Sequence, residues 1–303
     1  MKMLACTDGS EQAERAVRMA GELAVACEAN VTLLGIKESS GKSDLIMAAL
    51  TRAQQVLESQ KIPAEIVTKT GDPIEEIVRR TEESTYDLVV IGAARKGHRG
   101  PFSMSTKAYK IVKLIKPPVL IVMGMPTPLK RILICSGGKG YIEAAFGLVG
   151  AVAKKAHASI TLLHVMAQPP AIYSDFRGFE EDVNLVLNSN AELGRNLRRE
   201  KEALAALGIE THVQVRHGFV RDEIFREIRS GNYDLVVAGS TLSTGPLRTY
   251  VLGDVTREIL NGANCPVLIA RHTTKPPNFK ERLRQLFQGF TFSAAPPEPA
   301  RIR

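Results

Sequence analysis

The chain repeats itself, and it does so in order. MLAC (3–6) returns as ILIC (132–135), and VTLLGI (31–36) returns as ITLLHV (160–165), both 129 residues on. YDLVVIG (86–92) returns as YDLVVAG (233–239) after 147 residues, and PVLIV (118–122) as PVLIA (266–270) after 148. Conserved order at a near-constant offset is a tandem duplication, so both halves must reach the same fold. The step from 129 to 147 puts an 18-residue insertion near 167–190, between the second and third strands of copy two. The expected organisation is copy one at 1–124, a Pro-containing linker at 125–128, copy two at 129–272 and a tail at 273–303.

The length, 303 residues, suits two domains at about 100–200 residues each. No stretch approaches the ~18 consecutive apolar residues of a membrane helix. The start, MKMLACTDGS, has no apolar run before Asp8, so no secretory leader is expected and a cytoplasmic protein is inferred. Lys and Arg number 17 against 15 Asp and Glu in 1–124, 17 against 15 in 125–272, and 6 against 2 in 273–303. Half of the +8 net charge therefore sits in the tail, and a near-neutral body argues against nucleic acid as a partner. Cys6, Cys27, Cys135 and Cys265 form no C-x-x-C pair and lie in or beside apolar runs, which predicts four buried, reduced thiols. The scattered His residues predict no metal site.

Within copy one, short Val/Ile/Leu-rich runs at about 2–7, 31–37, 63–69, 87–92 and 118–123 predict strands buried on both faces. Between them, Ala13, Ala16, Val17, Ala20, Leu23, Ala24 and Cys27 recur at spacings of three and four, one apolar helix face. Ser10 is the expected N-cap of that helix. Helices are also predicted over 42–59 and 73–84, the latter opened by Pro73, and over a longer stretch of copy two at about 174–206. Strand–helix alternation of this kind predicts a parallel, doubly wound α/β sheet in each copy. Ligands of such sheets sit at the carboxyl ends of the strands, near the switch in strand order.

The loops there carry the candidate chemistry. Strand one of copy one ends in Cys6-Thr7-Asp8-Gly9-Ser10, where Asp8 either accepts from a ribose hydroxyl or adenine amine, or turns the chain into the helix. Strand four is followed by Gly92 and a basic stretch containing Arg95, Lys96 and Arg99, then Ser105 and Thr106 before a helix to about Leu114. Backbone amides at that helix start, with the Thr106 hydroxyl, suit a phosphate; the alternative is a solvated basic loop.

Taken together, CTDGS, DLVVIG, the loop after it and the closing PVLIV strand resemble the universal stress protein (UspA) superfamily, over both copies. The tandem pair is similar to its two-domain members. The resemblance implies, for each copy, a five-stranded parallel, Rossmann-like sheet of the adenine nucleotide alpha hydrolase-like kind. It also implies pairing of 118–123 with 266–271 inside the chain, and it is compatible with a homodimer. Nucleotide-binding members carry Gly-2x-Gly-9x-Gly-Ser/Thr after strand four. Copy one keeps the spacing as Gly92, Arg95, Ser105 and Thr106, with Arg95 and Ser105 where glycines stand in the motif. A Cβ there obstructs close approach of backbone to phosphate, whereas a guanidinium at 95 can fork onto its oxygens. By the same resemblance Thr7, Asp8 and Ile36 fall where members contact adenosine, so ATP or AMP is the implied ligand of copy one, with Mg accompanying ATP.

Copy two departs from the pattern at both ends. Gly137 replaces the strand-one Asp, one extra residue separates Gly239 from Gly253, and Asp254 stands at the Ser/Thr place, where its charge opposes a phosphate. Gly137, Lys139, Val165, Gly239 and Gly253 mark its degenerate counterpart of the site. The stretch Ser136-Gly-Gly-Lys139-Gly140 also resembles part of the Ser-Gly-Gly-x-Asp-Ser loop of ATP pyrophosphatases, but Gly140 and Tyr141 stand where Asp and Ser belong. A glycine turn is the favoured reading.

No nucleophile with an adjacent base emerges, so at most weak ATP hydrolysis is expected. In the tail, Phe279, Leu283, Leu286, Phe287 and Phe290 form a short apolar helix face flanked by Lys280, Arg282 and Arg284. The 279–290 segment could contact a protein or an anionic membrane, or fold back on its own body. Two function classes follow: a stress-response or signalling protein that binds an adenine nucleotide in copy one, and a nucleotide-free scaffold of the same family.

Overall fold

Apolar runs too short for helices become the strands, and each carries its neighbouring amphipathic helix onto one face of a sheet. The computed structural model describes residues 1–37, 43–93, 95–96, 103–104, 106–124, 127–137, 143–166, 183–242, 250–251 and 253–271. Copy one contains β1 (Lys2–Thr7), α1 (Glu11–Cys27), β2 (Asn30–Lys37), α2 (Ser43–Ser59), β3 (Ala64–Thr70), α3 (Pro73–Glu83), β4 (Leu88–Gly92), β5 (Arg95–Lys96), β6 (Ser103–Met104), α4 (Thr106–Leu114) and β7 (Val119–Val122). Copy two contains β8 (Arg131–Cys135), α5 (Glu143–Ala156), β9 (Ser159–Met166), α6 (Val183–Asn188), α7 (Glu192–Ala205), β10 (Thr211–His217), α8 (Val220–Gly231), β11 (Leu235–Leu242), β12 (Tyr250–Val251), α9 (Asp254–Gly262) and β13 (Val267–Arg271). The predicted helix region of copy two is thus two helices where it is described, with 167–182 outside the described residues.

Ten strands run in the order β3-β2-β1-β4-β7-β13-β11-β8-β9-β10, with β12 joined to β11 off this path. Along this path pairing is parallel within each copy and antiparallel where the copies meet, with Val267 opposite Ile121, Leu268 opposite Leu120 and Ile269 opposite Val119; the short β11–β12 and β5–β6 pairs are antiparallel. The last strands of the two copies therefore close each other's edges and make one continuous sheet. Each copy switches strand order beside its first strand, at β1/β4 and at β8/β11. The edge strands β3 and β10 are mostly half-buried or exposed, unlike the nearly continuously buried β1 and β4.

Both faces are covered by helices, and each face holds a core that runs through both copies. On one face Val17, Ala20, Leu50 and Leu57 meet Met3, Leu33 and Val90, and continue into Phe146, Val149, Val152 and Leu204. Ile77, Ile111, Val112, Ile224 and Ile259 pack with Leu4, Val89, Ile121 and Ile269 on the other. Ser10 caps α1 as expected, accepting from the amide of Ala13 at 3.3 Å. Asp72 caps α3 just before Pro73, accepting from Ile74 and Glu75.

The thiol expectation needs correction. Cys6 and Cys27 are buried, but Cys135 and Cys265 are half-buried, because one ends β8 at the carboxyl edge of the sheet and the other lies in the turn before β13. Burial pushes Cys6 and Cys27 up to about 12, and at Cys135 the loss of solvation around the thiol, with the nearby Glu227 carboxylate and Cys265, does the same. Lys139, Ser105, the side chain of Arg95 and the tail from 272 lie outside the described residues.

Candidate functional site

In copy one the register sets Thr7 beside Gly35, and Ala5 beside Val90 two residues before the end of β4. The carboxyl ends of β1, β2 and β4 thus share one edge, where the order switches. Thr7 and Ile36 are buried there, while Asp8 is exposed. Asp8 Oδ1 accepts from the Ser10 amide at 2.9 Å, and Thr7 Oγ1 accepts from the Gly9 amide at 3.2 Å. These two bonds shape a tight turn that needs Gly9 at φ +79°. So the turning role of Asp8 is realised, and its carboxylate still faces outward from the loop. The start of α2 comes down over this turn, its Leu45 carbonyl and Ala49 flanking Gly9, and the Leu45 side chain is 63% exposed. Thr106 is the exposed first residue of α4. Arg95 pairs as backbone with Met104 in the β5–β6 hairpin.

Gly92 has a packing reason of its own. A Cβ there would lie 2.3 Å from the Gln12 carbonyl oxygen and 2.7 Å from the Ala13 nitrogen, so the first turn of α1 sits directly on the end of β4.

The matching edge of copy two carries different chemistry. At the repeat offsets Ser136 replaces Thr7, His164 replaces Gly35 and Glu200 replaces Ala53. The Ser136 hydroxyl donates to Glu200 Oε2 at 3.1 Å, with both residues buried. His164 Nδ1 lies 2.9 Å from the Ser136 carbonyl oxygen, which can only accept, so Nδ1 carries the proton. Gly137 is exposed and Val165 half-buried beside this cluster, and Gly239 accepts through its carbonyl from the Thr256 hydroxyl of α9 at 2.8 Å. Gly253 is the N-cap of α9, and Asp254 follows it with a side chain 92% exposed. Ser136 is legible in the sequence only as part of a glycine turn, and His164 and Glu200 are unremarkable in their own segments; alignment of the copies shows a hydroxyl kept at 7/136 and two small sites, Gly35 and Ala53, replaced by His164 and Glu200. Among the described residues, no group of three or more His, Cys, Asp or Glu converges as a metal site.

Burial lowers the His164 pKa from its ordinary 6.5; the Ser136 bond opposes this and the neighbouring His217 adds to it. A folded value below the unfolded one means stability is present when the ring is neutral and is lost as pH falls below about 6.5. His164→Asn keeps a donor toward the Ser136 carbonyl but cannot titrate. Urea midpoints measured between about pH 7.5 and 5 should therefore fall less in His164→Asn than in the wild type; parallel curves would show that His164 does not titrate with unfolding.

The comparisons agree with the duplicated architecture. The sequence pattern of the Universal stress protein family matches residues 1–123 and again 128–271. Universal stress protein MJ0531 of Methanocaldococcus jannaschii is 26% identical over 147 residues, 48% of this chain and 84% of its own length. Universal stress protein YxiE of Bacillus subtilis is 25% identical over 146 residues, 46% of this chain and 98% of its own. Among solved structures, a universal stress protein from Archaeoglobus fulgidus superposes with TM-score 0.64 at 20% identity, covering 90% of this chain and 98% of that one. A Pseudomonas aeruginosa structure described as a putative universal stress protein gives TM-score 0.64 at 14% identity, with 95% and 96% covered. Those structures speak for the fold, and the family pattern covers both halves of the sequence: the chain belongs to the universal stress protein family, as a tandem of two copies.

Proposed function

We propose that copy one binds an adenine nucleotide, ATP or AMP, at the carboxyl edge of β1, β2 and β4, and that the protein acts in a stress response or signalling by changing shape or partners on binding. The observation that carries this reading is an exposed carboxylate at Asp8 and a buried apolar Ile36 at the carboxyl ends of β1 and β2, beside the strand-order switch, with the hydroxyl-bearing Thr106 opening the first helix after β4. Asp8 suits a ribose hydroxyl or the adenine amine. The exposed Leu45 side chain, on the helix that flanks Gly9, offers apolar surface to a base. The α4 amides and Thr106 suit a phosphate, as helix starts do. Mg would enter with ATP.

The scaffold reading also has an observation in its favour. Gly92 is accounted for by the packing of α1, without any phosphate. Calorimetric titration with AMP and with ATP separates the two. Asp8→Ala and Thr106→Ala should each weaken binding roughly tenfold, about 1.4 kcal/mol, while leaving the fold unchanged. Wild-type affinity in both variants would move the ligand away from this edge, and no heat with wild type would favour the scaffold.

A further inference from the structure

The repeat predicts that position 123 of copy one and position 271 of copy two are equivalents, 148 residues apart. They are filled by opposites. Met123 is buried and apolar at 1% exposure, whereas Arg271 is a guanidinium buried to the same 1%. A cation is costly to bury unless bonds replace its water. Arg271 makes them across the junction of the copies. Its Nε donates to the Pro117 carbonyl at 3.1 Å, its Nη2 to the Val112 carbonyl, and its Nη1 to the Ser240 hydroxyl at 2.9 Å. Ser240, in β11, in turn donates to the Ala270 carbonyl at 3.0 Å.

Two of those acceptors belong to copy one, and their place gives the contact its meaning. Val112 lies in the last turn of α4, where carbonyls run out of helical amide partners and the helix dipole is negative. Arg271 thus caps the carboxyl end of α4 from the other copy, with the charge that end favours. Antiparallel β7–β13 pairing fixes the backbone from which it reaches. The amino end of the same helix carries Thr106, six residues or about 9 Å from Val112 at 1.5 Å per residue. Further contacts tie these parts together: β12 of copy two packs on α4, and β6 of copy one packs on α9 of copy two.

We propose that Arg271 is a positioning residue for copy one's anion site: copy two grips α4 from behind and thereby fixes the helix start that meets the phosphate. This rests on the nucleotide reading above. Copy two then acts chiefly as a buttress, and its own phosphate-loop pattern is free to decay. The asymmetry fits, because the reciprocal place holds Met123, which can pack but cannot cap α9.

The test uses the full chain with Arg271→Met, which installs the side chain copy one tolerates at the equivalent place, and with Arg271→Lys. Hydrogen exchange is followed at the amides of 107–116, with α3 and α8 as internal references, and AMP and ATP affinities are measured in parallel. The expected result for Arg271→Met is faster exchange, roughly tenfold or more, confined to α4 and the turn before β7, with roughly tenfold weaker nucleotide binding. Arg271→Lys should recover part of both. If Arg271→Met does not fold, Ser240→Ala removes one acceptor and should give the same pattern at smaller amplitude. Exchange of α4 unchanged from wild type would overturn the clamp. Faster α4 exchange with unaltered affinity would overturn the link to the site. Absence of nucleotide binding in the wild type would remove the ligand reading and with it the positioning role, while exchange alone would still report on the clamp.

Discussion

Gly92→Ala should unfold well below the wild type, by about 3 kcal/mol. The added Cβ meets backbone atoms, the carbonyl of Gln12 at 2.3 Å and the nitrogen of Ala13 at 2.7 Å, so no side-chain rotation relieves it. Either α1 moves off β4 or the strand end bends, and overpacking of this kind costs about 1–3 kcal/mol or more. In a protein of this size that lowers the thermal midpoint by roughly 5 °C. Gly253→Ala is the control, since a Cβ there has no neighbour within 4 Å. A midpoint for Gly92→Ala within a degree or two of that control would mean that the start of α1 yields easily and that Gly92 is there for another reason.

A second large loss is expected at Glu227, on α8. This carboxylate is 5% exposed, accepts from the Tyr233 hydroxyl at 2.5 Å and pairs with Arg216 at 2.5 Å. Glu227→Ala leaves a buried phenol without its acceptor and a mostly buried guanidinium with only the longer, 3.5 Å contact to Glu223. Breaking such a pair from one side costs about 3 kcal/mol. Copy one supplies the comparison. At the equivalent position Arg80 donates to the Tyr86 hydroxyl at 2.8 Å and pairs with Glu65, whose side chain is 54% exposed. Arg80→Ala should cost about 1 kcal/mol, because water can take over much of what is lost. Urea unfolding of the two variants checks the difference. Equal losses would show that burial does not set the value of these pairs.

These two sites also show what could be read in the chain before its structure. The offsets 129, 147 and 148 located the strands because apolar runs leave a short buried segment little choice but a parallel sheet. Ser10 and Pro73 were legible because capping and first-turn geometry are local. The partner-dependent features were not. Arg271 reads as the polar end of a strand, and only the antiparallel junction buries it. Glu200 sits in a run of Arg, Lys and Glu that looks like a solvated helix face, yet Leu197 and Leu204 on either side of it are both fully buried. His164 is one polar letter in ITLLHV, and its meaning depends on Ser136, just past the end of β8 and 28 residues earlier. Of the candidate site, Thr7, Asp8, Ile36 and Gly92 lie at the carboxyl ends of β1, β2 and β4, a placement that follows from strand order alone. Gly92's contact with α1 did not show in the sequence, because a glycine is marked by what approaches it.

The central claim is that copy one holds an adenine nucleotide. Freshly purified full-length protein should be heat-denatured, and the released small molecules identified and counted by mass spectrometry. About one adenine nucleotide per chain, lost in Asp8→Ala, is the result this account predicts. No nucleotide released, together with no uptake of AMP or ATP on titration, would contradict it.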